Sequence, residues 1–178
     1  MLYLIFNFIL LLVLILLNFY LISLLISSFS GASYVPTNKK IIDQILLKAD
    51  LKKNRLFVEL GCGDGRVVKR AVEKYEVKGR GIDINPYFIL ILKLINKLKR
   101  TNNPEFIFAD IFKTNLTHAN YIYCFLMPKM LDKLKDKLEK ELRKGVLVIS
   151  HGFKIPLWDK KLVTTLKGKK FNTYYYRI

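Results

Sequence analysis

Not one charged residue occurs before Lys39, so the whole formal charge of +17 is carried by the remainder of the 178-residue chain. The uncharged leader is strongly apolar: from Leu2 to Ile26 only Asn7, Asn18 and Ser23 interrupt Leu, Ile, Phe, Val and Tyr. As a helix this run reaches roughly 37 Å, enough for a hydrocarbon layer of about 30 Å with some tilt. It reads as a retained membrane anchor, because no basic residue precedes it and it far exceeds the roughly 7–15 apolar residues of a secretory leader. A cleaved signal peptide is the competing reading, since Ser28, Ser30, Gly31 and Ala32 are small enough to form a cleavage site. With all the cationic residues on the carboxyl-terminal side, the positive-inside rule predicts a single-pass membrane protein whose carboxyl-terminal domain faces the cytoplasm.

Other scarcities narrow the field further. Cysteine occurs only at Cys62 and Cys124, one in a glycine turn and one in an expected buried strand. Neither position suits a structural disulfide, and a reducing compartment fits. No metal-ligand cluster is visible, so no metal is expected, and there is no internal repeat or low-complexity segment. Arginine is outnumbered by lysine, 7 to 24. Planar phosphate recognition favours arginine, so nucleic acid is disfavoured as a partner despite the basic balance. Lysines beside an anchor are drawn instead to anionic headgroups, worth about 1 kcal/mol each near the surface.

The most informative segment present is Leu56-Phe57-Val58-Glu59-Leu60-Gly61-Cys62-Gly63-Asp64-Gly65-Arg66. It reads as a buried strand entering a turn of alternate glycines, which permit positive φ and close approach of a ligand to the backbone. A second short apolar run, Gly79 to Asp83, ends in an acid placed where one holds a ribose in nucleotide-binding α/β folds. The alternative for Asp83 is a capping acid before Asn85. The spacing G-x-G-x-G differs from the G-x-G-x-x-G of dinucleotide sites.

Around this segment strand and helix alternate, which predicts a mostly parallel sheet with helices on both faces. Expected strands are Leu56–Leu60, Arg80–Ile84, Glu105–Ala109, Tyr121–Phe125 and Val146–Ser150. The helices between them are Arg66–Lys74, Pro86 to about Lys99, and one begun by Pro128 and stopped by Gly145. Between strands three and four there is room only for a turn. Leu162–Thr165 and Thr173–Arg177 are expected to form a closing antiparallel hairpin. Leu131, Leu134, Leu138 and Leu142 mark the buried face of the Pro128 helix, with Asp136–Lys140 and Glu139–Arg143 expected to pair at i, i+4 on the other. The division expected is an anchor over 1–30, a junction and leading helix over 31–55, and a compact domain over 56–178.

Glu59 followed by G-x-G-x-G resembles motif I of the class I S-adenosylmethionine-dependent methyltransferases. That resemblance implies a Rossmann-like fold and S-adenosylmethionine as cofactor. It assigns Glu59, Gly61, Gly63, Asp64 and Gly65 to the methionine end and Asp83 to the ribose hydroxyls. Ile84 falls against one adenine face, with Asp110 and Ile111 at the adenine edge; Asp110 is otherwise a simple strand-end acid. Taken with the anchor, Tyr34-Val35-Pro36-Thr37, Ile84-Asn85-Pro86, Met127-Pro128-Lys129-Met130 and the tail from Gly152 to Trp158, the chain is similar to the small membrane-anchored protein lysine methyltransferases. Those enzymes modify the adenine nucleotide translocase and the c-ring protein of ATP synthase, so the resemblance implies a lysine acceptor on a protein partner, with membrane proteins among the candidates. It also implies that Val35, Pro36 and Thr37 lie near the cofactor or the lysine channel.

Thr37 and His151 are the candidates for contact with the reacting groups; His118, in a polar loop, is set aside. Two departures from the family stand out: Cys62 replaces the usual Ser, and strand four lacks the Asn/Asp-Pro-Pro motif of many amine-modifying enzymes. The second disfavours base-modifying enzymes more than lysine enzymes. A lipid or quinone methyltransferase and a non-catalytic membrane-tethered S-adenosylmethionine-binding module are the other functional readings.

Overall fold

Five strands lie parallel in the order β3-β2-β1-β4-β5, and an antiparallel β7-β6 pair extends the β5 edge to complete a seven-stranded sheet. The computed structural model describes residues 1–29 and 36–178, with the backbone alone over 23–29. Val35 and most of the proposed signal-cleavage stretch therefore lie outside the described residues.

The strands are β1 Leu56–Leu60, β2 Lys78–Asp83, β3 Glu105–Phe108, β4 Tyr121–Cys124, β5 Leu147–Gly152, β6 Leu162–Leu166 and β7 Asn172–Arg177. The helices are α1 Leu2–Phe29, α2 Lys39–Ala49, α3 Arg66–Tyr75, α4 Pro86–Leu98 and α5 Pro128–Glu141. The expected Rossmann-like sheet with its closing hairpin is what the chain forms. Between β3 and β4 the backbone makes only turns. Here Asp110 Oδ1 accepts the Phe112 amide at 2.9 Å.

Side chains alternate across each strand, so the sheet buries two apolar layers. Ile45 and Leu46 of α2, Val68 and Ala71 of α3, and Ile89 and Leu92 of α4 cover the face that carries Phe57 and Tyr123. Leu131, Leu134 and Leu138 of α5 cover the opposite face with Val58, Leu60, Ile122 and Cys124. Trp158, Tyr175 and Tyr176 are core residues here, each almost wholly buried.

Two details of α5 differ from expectation. Glu139 pairs with Lys161 beside β6 and Glu141 with Lys137, while Lys135 meets Asp132 at 2.8 Å; the expected Asp136–Lys140 and Glu139–Arg143 pairs do not form. Glu139 is drawn to a cation from another element because Lys161 lies over the Trp158 ring, 4.8 Å from its centroid, which brings its ammonium group to α5. The helix also ends at Glu141, ahead of Gly145.

Among the described residues α1 contains one stretch, Leu2–Ile22, long and apolar enough to cross a membrane. Near its end Phe19 and Tyr20 meet Tyr87 of α4, with ring centroids 6.0 and 5.3 Å apart.

Candidate active site

The strand order reverses between the parallel β1 and β4, from which the chain continues toward opposite edges of the sheet, and crevices in open α/β sheets form at the carboxyl ends of such strands. β1 ends there in the glycine turn. Gly61, Gly63 and Gly65 take φ of +73, +50 and +68°, left-handed values that other residues adopt only with strain. Gly65 is further constrained, because a Cβ on it would sit 2.7 Å from the Phe106 ring.

The turn leaves α3 without a side-chain cap of its own, since Gly65 occupies the N-cap position. The cap comes from the preceding strand: Glu59 Oε2 accepts the Val68 amide at 2.8 Å, at the third position of α3. A helix amino terminus favours an anion there. Burial opposes it and wins: it pushes the Glu59 carboxyl well above the ordinary carboxylate range, with Asp64 and Asp83 adding in the same direction. Asp83 plays a comparable part from β2. Its Oδ2 accepts the Gly63 amide at 2.7 Å and its Oδ1 the Asn85 amide at 2.8 Å. The acid thus holds both the glycine turn and the residue that caps α4, for it is Asn85 whose side chain accepts the Tyr87 and Phe88 amides.

Arg66 joins the turn to the chain that follows α1. Its Nε and Nη2 pair with Asp64, the latter at 2.6 Å, while Nη1 donates to the Thr37 carbonyl at 3.1 Å. That bond brings Pro36 and Thr37 over the glycines. The resulting cavity, about 60 Å³, is walled by Thr37, Glu59, Gly61, Gly63, Tyr123 and Phe125 among others. Tyr123 lies directly opposite Glu59 in the parallel β1–β4 pair. Its hydroxyl is buried and faces Thr37 without completing a hydrogen bond among the described residues.

A larger cavity of about 780 Å³ shares Pro36, Thr37 and Phe125 with the first. Its inner wall is a cluster of three rings: Phe125 lies 4.6 Å from His151 and 5.3 Å from Phe171, centroid to centroid. His151 is buried, with Nδ1 2.8 Å from Thr173 Oγ1 across the β5–β7 pair. Burial lowers its pKa to about 4, so the imidazole is neutral at physiological pH.

The residues singled out from sequence separate into groups. Thr37, Glu59, Gly61, Gly63 and Asp64 line the smaller cavity, and Asp83 and Gly65 hold its floor in shape. His151 lines the larger cavity. Ile84 follows Asp83 at the end of β2, while Asp110 and Ile111 follow β3, and none of these three lines either cavity. Sequence reasoning missed Arg66, Tyr123, Phe125 and Phe171. The available signal was Tyr123-Cys124-Phe125 at the end of the strand that adjoins β1, which becomes informative only once the strand order is known.

Glycine cradle, neighbouring acids and a buried tyrosine hydroxyl that completes no hydrogen bond among the described residues, all at the strand-order switch, fit a cofactor with an amino-acid end and a nucleoside end. The molecule is a class I methyltransferase, and S-adenosylmethionine is its cofactor. It belongs to the family described as the ANTKMT methyltransferase domain, whose sequence profile matches residues 59–162. A protein-lysine N-methyltransferase of Saccharolobus islandicus (strain REY15A) is 33% identical over 145 residues, covering 80% of this chain and 90% of that protein. The adenine nucleotide translocase lysine N-methyltransferase of Mus musculus is 28% identical over 128 residues; the match takes in 71% of this chain but only 55% of the mouse protein. Among solved structures, an RNA methyltransferase from Salinibacter ruber in complex with S-adenosyl-L-homocysteine superposes with a TM-score of 0.75 at 30% identity, covering 81% of this chain and 94% of that one.

Proposed function

We propose that this enzyme methylates a lysine side chain of a protein and that α1 holds it in a membrane, with the catalytic domain on the cytoplasmic side. The observation that carries the lysine reading is the pair of cavities sharing Thr37 and Phe125. The smaller gathers the residues assigned to the methionine end of the cofactor, and the larger adjoins it through Pro36, Thr37 and Phe125, with aromatic rings on its wall. A lysine stem is apolar along its length and cationic only at its tip, so a passage lined by Phe125, His151 and Phe171 matches it. The named activity of the archaeal relative supports the same acceptor.

When bound, S-adenosylmethionine supplies an electrophilic methyl on a sulfonium sulfur, open to in-line attack by an unprotonated amine. In this reading Glu59, the backbone of Gly61 and Gly63, and Tyr123 hold the methionine end, while Asp83 takes the ribose hydroxyls. Ile84, Asp110 and Ile111 are assigned to the adenine. Thr37 stands where the two cavities join and, with the Tyr123 hydroxyl that faces it from the smaller one, orients the incoming nitrogen. His151, neutral and hydrogen-bonded to Thr173, shapes the wall of the passage.

The membrane reading is supported by the length and apolarity of Leu2–Ile22 and by the confinement of charge to residues beyond it. Phe19, Tyr20 and Tyr87 form the kind of aromatic cluster that favours the membrane–water interface.

The test is incubation of the full chain with radiolabelled cofactor and native membranes, followed by separation of protein, lipid and RNA. Label in a protein band, recovered as methyl-lysine, is the expected result. Label confined to lipid or to RNA overturns the lysine acceptor. Release of the chain from membranes by alkaline carbonate overturns the anchor.

A further inference from the structure

The mouth of the larger cavity is ringed by Lys40, Lys167, Lys169 and Lys170, with no carboxylate in its lining. All four are exposed, and none forms an ion pair among the described residues. The acids of the adjoining segments are already committed: Asp64 to Arg66 at 2.6 Å, Asp43 to Arg70 at 2.7 Å, and Glu73 to Arg70 at 2.8 Å. The positive potential at the mouth is therefore not neutralised by neighbours.

Three of the four lysines sit on a built turn. The β6–β7 connection is closed by the Gly168 amide donating to Asn172 Oδ1 at 3.2 Å. A Cβ on Gly168 would meet the Phe171 carbonyl oxygen at 2.1 Å, so only glycine fits this bend. Lys170 is further directed by its contact with the Phe171 ring, 5.6 Å from the centroid. The bend thus places three lysines beside the aromatic wall.

We propose that the cationic rim is a specificity element that selects acceptor lysines flanked by aspartate or glutamate. This rests on the lysine-acceptor reading above and names the class of sequence that reading leaves open. A lysine in the passage brings its chain neighbours against the rim, where their carboxylates meet Lys167, Lys169 and Lys40. A neighbouring basic residue meets the same charges and is repelled, so the rim discriminates by both attraction and repulsion. A protein segment is the occupant proposed, because the lysines share one cavity with the rings of Phe125, His151 and Phe171, where an acceptor side chain would enter beside its own neighbours. Being exposed, the charges act through solvent and are screened by salt.

The experiment measures kcat/KM of the full chain with lysine peptides whose two residues on either side are Glu, Gln or Arg. The same sequences are also placed in an exposed loop of a small folded carrier. The Glu series is expected to exceed the Gln series about tenfold at low ionic strength and the Arg series by more, with the differences shrinking as salt is added. Lys167→Glu/Lys169→Glu/Lys170→Glu is expected to invert the order, whereas Lys133→Glu/Lys140→Glu on α5 leaves it intact. Equal methylation of all three series overturns the inference while leaving lysine as acceptor. Absence of lysine methylation in every series, with S-adenosylhomocysteine still bound, overturns the acceptor reading and the inference with it. A lack of flank preference, combined with stimulation by anionic vesicles that the loop variant loses, assigns the rim to lipid and overturns the inference.

Discussion

Glu59 and Tyr123 stand opposite each other across the parallel β1–β4 pair, both buried and both facing the cavity at the glycine turn. Glu59 is tied to α3 through the Val68 amide, but the Tyr123 hydroxyl completes no hydrogen bond among the described residues. A buried polar group left without a partner costs about 1–3 kcal/mol. Removing that hydroxyl should therefore spare stability and harm function. Tyr123→Phe is expected to melt no lower than the parent while binding S-adenosylhomocysteine more weakly or transferring methyl more slowly. A lower melting temperature with unchanged kinetics would mark the hydroxyl as structural.

The raised Glu59 pKa makes a prediction with a definite sign. The folded state holds this proton more tightly than the unfolded chain, whose carboxyl titrates near 4.5. The associated stability is present below that value and is lost as pH rises toward the folded pKa. Glu59→Gln is therefore expected to gain on the parent in urea midpoint as pH increases above about 4.5. If the carboxylate faces the cofactor's ammonium group, binding also ionises it. Calorimetry in buffers of different ionisation enthalpy should then show proton release in the parent and less in Glu59→Gln.

Asp83 receives two backbone amides, from Gly63 and Asn85. Asp83→Ala strands both donors and removes the acid assigned to the ribose. The expected cost is a drop in S-adenosylhomocysteine affinity of tenfold or more, about 1.4 kcal/mol or above, together with lower stability. Asp83→Asn retains one acceptor oxygen, so it should recover part of the stability and little of the affinity. Unchanged calorimetric affinity in Asp83→Ala would remove Asp83 from the cofactor site.

His151 has the opposite linkage to Glu59. Its pKa falls from 6.5 to about 4 through burial, so the unfolded chain takes up the proton first as the solution is acidified. Stability is lost as pH falls between those values, by up to about 3 kcal/mol at the rate of 1.36 kcal/mol per unit. His151→Gln should flatten this acid limb. Because the ring is neutral and bonded to Thr173, the variant is expected to retain methyl transfer within a few-fold at neutral pH. Loss of the alkaline or neutral rate plateau would instead make His151 a proton acceptor.

Much of the fold was legible along the chain because its causes are local. Alternating glycines, an apolar five-residue strand before them and Pro86 after the Asn85 cap act over a few residues, so β1, the turn and the start of α4 appear where their sequences put them. The same holds for the apolar face of α5, which follows from helical periodicity. Its ion pairs were misread, because Glu139 found Lys161 from an element twenty-two residues away rather than a neighbour on its own helix.

Tertiary structure alone decided the composition of the candidate site. Tyr123 meets Glu59 because β4 inserts beside β1 after the chain has passed through β2 and β3, and no local pattern encodes that neighbour. Thr37 reaches the glycine turn through a bond from Arg66, and Phe171 joins His151 because β7 folds back against β5. Periodicity and glycine spacing act through the short range of backbone sterics. The walls of the site come from side chains far apart in sequence, brought together by burial of two apolar layers against one sheet.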